Sequence, residues 1–125
     1  MKKETPEEKR FKAVLKKLKP SKETLALVNY VGKDKYLLAA KLYVKVVLVV
    51  EYYNKGWLPN WEDVSEYKHL PYFIHKSPGF SFDGSFFYYV VSIGGSPFLY
   101  FKNEADTKKA TKNFPTIYNN FLKTK

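Results

Sequence analysis

An α+β domain, with N-terminal helices and a C-terminal helix packed on a small antiparallel sheet, is the fold class this sequence predicts. Three observations predict it. Apolar residues recur at helical spacing up to Lys55, the texture changes to short aromatic runs broken by Gly, Pro and Ser after Trp61, and helical spacing returns after Asn103. With 125 residues, 45% of them hydrophobic and 18% aromatic, the chain is the right size for one domain spanning 1–125 that buries a real core. Residues 1–56 form its helical half, and residues 57–125 its antiparallel strands plus a C-terminal helix.

Each element has its own punctuation. Thr5-Pro6-Glu7-Glu8 reads as a capping box with proline at the first helical position, so the first helix starts at Pro6. Phe11, Val14, Leu15 and Leu18 then make one apolar stripe, and Pro20 ends the helix. Ser21 caps a short second helix carrying Leu25, Leu27, Val28 and Val31, with Gly32 as its stop. The third helix runs from an Asp34 cap to Lys55. Its valines resemble those of a buried strand, but a Glu51/Lys55 pair and the left-handed exit expected at Gly56 favour helix.

Beyond the joint, Tyr72 to Lys76 is the first expected strand, ended by Ser77-Pro78-Gly79. Phe80 to Phe82 continue toward a hairpin dipeptide at Asp83-Gly84, Ser85 to Ile93 forms the second long strand, and Gly94-Gly95 turns into a third at Pro97 to Lys102. Asn103 and Asp106 cap the last helix. Ala110, Phe114, Ile117, Tyr118, Phe121 and Leu122 share its apolar face, and Pro115 is expected to kink it near Lys112.

The formal charge is +10, and of 22 basic residues only Arg10 is an arginine. Lysine is a hydrated point charge without the planar fork that reads base edges in pairs, so sequence-specific recognition through arginine is disfavoured. Basic residues cluster at the two ends, from Lys2 to Lys22 and from Lys102 to Lys125. Such clusters form an electrostatic footprint for DNA or RNA, and the same charge also serves solubility. The candidate contacts are Lys9, Lys12, Lys16 and Lys19 at the first helix, Lys108, Lys109 and Lys112 at the last, and Tyr88 and Tyr100 as rings on which bases could stack. If both clusters serve one phosphate backbone, they must share a surface.

Catalysis finds little support in the residues, a site of two histidines with Glu62, Asp63 or Asp83 being the one conceivable arrangement. There is no cysteine, hence no disulfide, thiolate metal site or cysteine nucleophile, and His69 and His75 are the only histidines. No phosphate loop, metal spacing or nucleophile elbow is present, so a non-enzymatic protein without cofactor or metal is expected. The polar N-terminus does not read as a signal peptide. The apolar run from Tyr36 to Val50, interrupted by Lys41 and Lys45, is shorter than the roughly 20 residues needed to span a bilayer, so no membrane partner is expected. No oligomeric state follows from these patterns.

Gly56-Trp57-Leu58-Pro59-Asn60-Trp61, followed by Tyr67-Lys68-His69-Leu70-Pro71-Tyr72-Phe73, places both tryptophans at the joint between the halves. Packing there predicts largely buried indoles. The stretch resembles a G-W-x-P-x-W…Y-K-Y-Y-P-W-F pattern of small proteins from phages and mobile elements of Bacteroidetes. The resemblance extends over roughly residues 34–122 and departs from the pattern at Tyr72, at Pro115 and in the lysine-rich first helix. It implies a phage or mobile-element context, a host-cell cytoplasmic or virion location and a fold outline, and it assigns no activity. A host or phage protein is the alternative partner to nucleic acid, as for a host-defence antagonist or a virion-associated component.

Overall fold

The computed structural model describes residues 3–60, 62, 63, 65–76, 79–88 and 97–123, and for 72–88 and 97 the backbone alone. Among the described residues are five α-helices, one β-hairpin and a 3-10 turn: α1 Pro6–Leu18, α2 Lys22–Val28, α3 Lys35–Asn54, β1 Lys68–Lys76, β2 Gly79–Tyr88, the turn Pro97–Leu99, α4 Glu104–Asn113 and α5 Pro115–Leu122. Helices dominate, and the α+β class with helices laid on an antiparallel meander is overturned. The only described strand ladder is the two-stranded hairpin.

The reasons lie in particular residues. Asp83-Gly84 does not turn the chain: Tyr72 pairs with Gly84 and Phe73 with Phe82, leaving Asp83 as the extra residue of a bulge. The register ends where Lys76 pairs with Gly79. The expected third strand contracts to a single bridge, in which His69 and Phe101 exchange backbone hydrogen bonds of 3.0 and 2.7 Å. Pro97 carries no N–H for a ladder, and the Asn54 side chain occupies the groups a neighbouring strand would take. Its Nδ2 donates to the Tyr100 carbonyl at 2.9 Å, and its Oδ1 accepts from the Lys102 amide at 3.1 Å. The expected Gly94-Gly95 turn lies outside the described residues.

The core is built on the C-terminal half of α3. Val46, Val49 and Val50 meet Phe11 and Val14 of α1, Ala110 of α4, Phe114, and Ile117 and Tyr118 of α5. Asp34 caps α3 through Oδ1, which accepts from the amides of Tyr36 and Leu37. The left-handed exit begins one residue before the expected glycine, at Lys55 (φ 52°), and continues through Gly56 (φ 92°). Helix α2 stops at Val28, short of Val31, which is 91% exposed. Gly32 serves instead as clearance for the Tyr30 ring, since a Cβ there would lie 2.2 Å from the Tyr30 hydroxyl.

Pro115 breaks the last helix into two. Without an N–H it cannot bond back into α4, and it pushes the preceding Phe114 to an extended φ of −131°. The break orphans backbone groups, and α1 satisfies them from more than 100 positions away. Glu7 accepts from the amides of Thr116 and Ile117 at 3.0 and 2.9 Å, and Arg10 Nε donates to the Asn113 carbonyl at 2.9 Å. An acid thus meets the start of α5 and a base the end of α4, as the helix dipoles favour. A Glu7→Ala chain is expected to lose about 1–2 kcal/mol in urea unfolding, the scale of a lost N-cap. An unchanged midpoint would show that water caps α5 equally well.

Lys68 is fully buried. Its ammonium donates to the Asp63 and Glu66 carbonyls at 3.2 and 3.1 Å and lies 3.3 Å from the Glu66 carboxylate, which also accepts from the Asn60 amide. Burial of this charge is tolerable because all three donors are matched. The joint is therefore held by Lys68, and Trp57 is half-buried where a largely buried indole was expected. Trp61 lies outside the described residues.

Candidate functional site

The C-terminus of α3 emerges between α1 and α4. The result is an open groove of about 610 Å³, lined by Lys17 of α1, by Lys102 and Asn103 just before α4, and by Asp106 and Lys109 within it. Tyr52, Tyr53 and Lys55 complete its lining. Asn103 caps α4, accepting from the Asp106 amide at 2.7 Å. Lys102 reaches back to the Asn54 carbonyl at 3.5 Å, with the Asp106 carboxylate 4.0 Å away. Among the described residues Lys17, Lys55 and Lys109 make no ion pair, so four ammonium groups face one carboxylate.

The two tyrosines differ. Tyr53 is anchored: its hydroxyl accepts from Asn113 Nδ2 at 3.0 Å, and its ring stands edge-on to Phe101 and Phe114. Tyr52 lies perpendicular to Tyr53, centroids 5.2 Å apart, and packs against the core while still lining the groove.

The two basic clusters therefore meet, but largely through residues other than those the sequence nominated. Lys109 lines the groove. Lys9, Lys12, Lys16 and Lys19 are exposed, and at 100° per residue Lys12 sits about 140° around α1 from Lys17. Lys12 is also engaged by Glu4, whose carboxylate accepts from it and raises its pKa. Lys108 pairs with Glu104 at 3.0 Å, and Lys112 is exposed. Tyr100 is 3% exposed, so its ring is closed to a stacking base, because the segment that was to be a solvent-facing strand is pinned against α3 by Asn54. Tyr88 closes β2 opposite Lys68, and its side chain lies outside the described residues.

Lys17, Lys55, Lys102, Tyr52 and Tyr53 were missed as site residues. Lys17 and Lys102 belonged to the recognised clusters, but the partner of each face needed the helix packing. Lys55 read as half of a helical ion pair, whereas its φ of 52° takes it out of the helix and onto the rim.

Elsewhere, Lys45 is lowered in pKa by burial and by neighbouring Lys41, and it lies 5.0 Å over the Phe11 ring. His69 is likewise lowered by burial. No group of three metal-ligating side chains occurs among the described residues, and no described helix is long and apolar enough to cross a membrane. Val31, Tyr36, Leu37 and Leu38 form an exposed apolar stretch at the far end of α3.

Comparison with protein-family models, curated proteins and solved structures finds no match to this chain.

Proposed function

We propose that this chain is a non-enzymatic protein of a phage or mobile element, working in the host-cell cytoplasm or the virion, that binds nucleic acid without sequence preference through its lysine-rich groove. One observation carries the proposal: Lys17 and Lys109, from opposite ends of the sequence, line one groove with Lys55, Lys102 and two tyrosines. Ammonium groups there can replace the counterions of a phosphate backbone, and lysines alone supply no base-edge code. Titration of labelled DNA and RNA at low salt tests it. Binding should be weak, indifferent to sequence and steeply weakened by salt. No binding at low salt would overturn the proposal.

A second reading, a protein-interaction module such as a host-defence antagonist or virion-associated protein, is favoured by the exposed Val31, Tyr36 and Leu37. Apolar side chains of this size left in water suit a protein partner. Substituting Tyr36 and Leu37 with serine should leave nucleic-acid affinity unchanged and abolish capture of such a partner.

A further inference from the structure

We infer that the groove takes a single strand, holding an unpaired base against Tyr52 while the lysines hold the flanking phosphates; this rests on the nucleic-acid reading above. Charge alone would not discriminate, because a duplex carries the denser line of phosphates. Shape and lining do. The groove is concave and of about 610 Å³, within the roughly 300–1,000 Å³ of clefts that enclose a small organic ligand, so it has room for a nucleotide-sized group. A duplex is convex and keeps its bases stacked inside, so a base enters such a groove only after leaving the stack.

The arrangement of cations fits the same partner. Lys17 of α1, Lys55 at the end of α3 and Lys109 of α4 line one groove together with the paired tyrosines Tyr52 and Tyr53. Phosphate contacts therefore flank an aromatic wall, which is how single-stranded nucleic acid is held without base-edge readout. Tyr53 is locked by Asn113, Phe101 and Phe114, so it buttresses Tyr52. Lys55 ends α3 in the left-handed conformation, as Lys19 ends α1, and its side chain puts a further cation on the groove.

The test compares the full chain on three fluorescent probes of about 12 nucleotides, a length within the range single-strand sites occupy. They are a single strand, the duplex of the same sequence, and an abasic strand with the same phosphates, each made as DNA and the first two also as RNA. The single strand should bind at least about fivefold more tightly than either the duplex or the abasic strand, since stacking of one base contributes a factor of roughly 5 to 160. Tyr52→Leu should remove that advantage with the salt slope kept, and Tyr52→Phe should retain it. Equal affinity for the single strand and the abasic strand, or for the single strand and the duplex, overturns the inference while leaving non-specific binding standing. The abasic comparison needs no variant, so it decides even if Tyr52→Leu fails to fold. Failure of all probes to bind overturns the nucleic-acid reading itself.

Discussion

A chain carrying Lys17→Glu and Lys109→Glu is expected to lose at least about 100-fold in affinity for a single-stranded oligonucleotide at roughly 50 mM salt, with the slope of log affinity against log salt flattened by about 1.4. Two phosphate contacts account for most of that loss, and two carboxylates now repel the backbone as well. The substitutions lower the formal net charge by four from +10, so a loss of general attraction must be separated from the loss of a site. Lys33→Glu with Lys35→Glu makes the same change at exposed positions by the start of α3, about 30 Å along that helix from Lys55. A site predicts a small effect there. Equal losses in the two pairs would return the charge to a solubility role. Lys55→Gly gives an independent check: glycine suits the left-handed position, so stability should hold or rise while affinity falls.

The helical elements were legible because their signals are local. Thr5, Ser21, Asp34 and Asn103 each accept a backbone amide at the start of the helix they were expected to cap, and Pro6 opens α1 as read. Strand assignment needed information that is not local. Asp83-Gly84 is an ordinary hairpin dipeptide by composition, and only pairing with β1 turns it into a bulge. Tyr100 and Phe101 alternate like strand residues, yet an asparagine 46 positions earlier claims the Tyr100 carbonyl. The same limit applies to the site. Net charge and end clustering could be read from residue types, but the tertiary neighbours of Lys17 and the burial of Lys68 could not, because all lysines look alike until their surroundings are known. Arg10 illustrates this best: the lone arginine, weighed only for its absence from base recognition, caps α4 across the α1 interface.

Asn54→Ala is expected to destabilise the fold by about 2–4 kcal/mol, because one buried and one part-buried hydrogen bond are lost, and leaving a buried polar group without its partner costs roughly 1–3 kcal/mol, the part-buried one about 1. Asn54 is 4% exposed, at the last turn of α3, and its amide is divided between the Tyr100 carbonyl and the Lys102 amide. Truncation also frees the 100–102 segment, whose only described strand partner is His69, and with it the backbone from which Lys102 reaches the groove. Asn54→Asp separates the two bonds. A carboxylate keeps the acceptor for the Lys102 amide but has no donor for Tyr100 at neutral pH, and it buries a charge, so it should be no more stable than alanine there. Protonation restores a donor. The deficit of the Asp variant should therefore shrink as pH falls through the pKa of the buried carboxyl, which burial places above that of an unfolded aspartate. Urea unfolding of the three chains at neutral and mildly acidic pH measures this. A loss under about 0.5 kcal/mol for Asn54→Ala, the level of an ordinary surface change, would mean that the Tyr100–Lys102 segment is held by its apolar contacts with α3 and not by the asparagine clip.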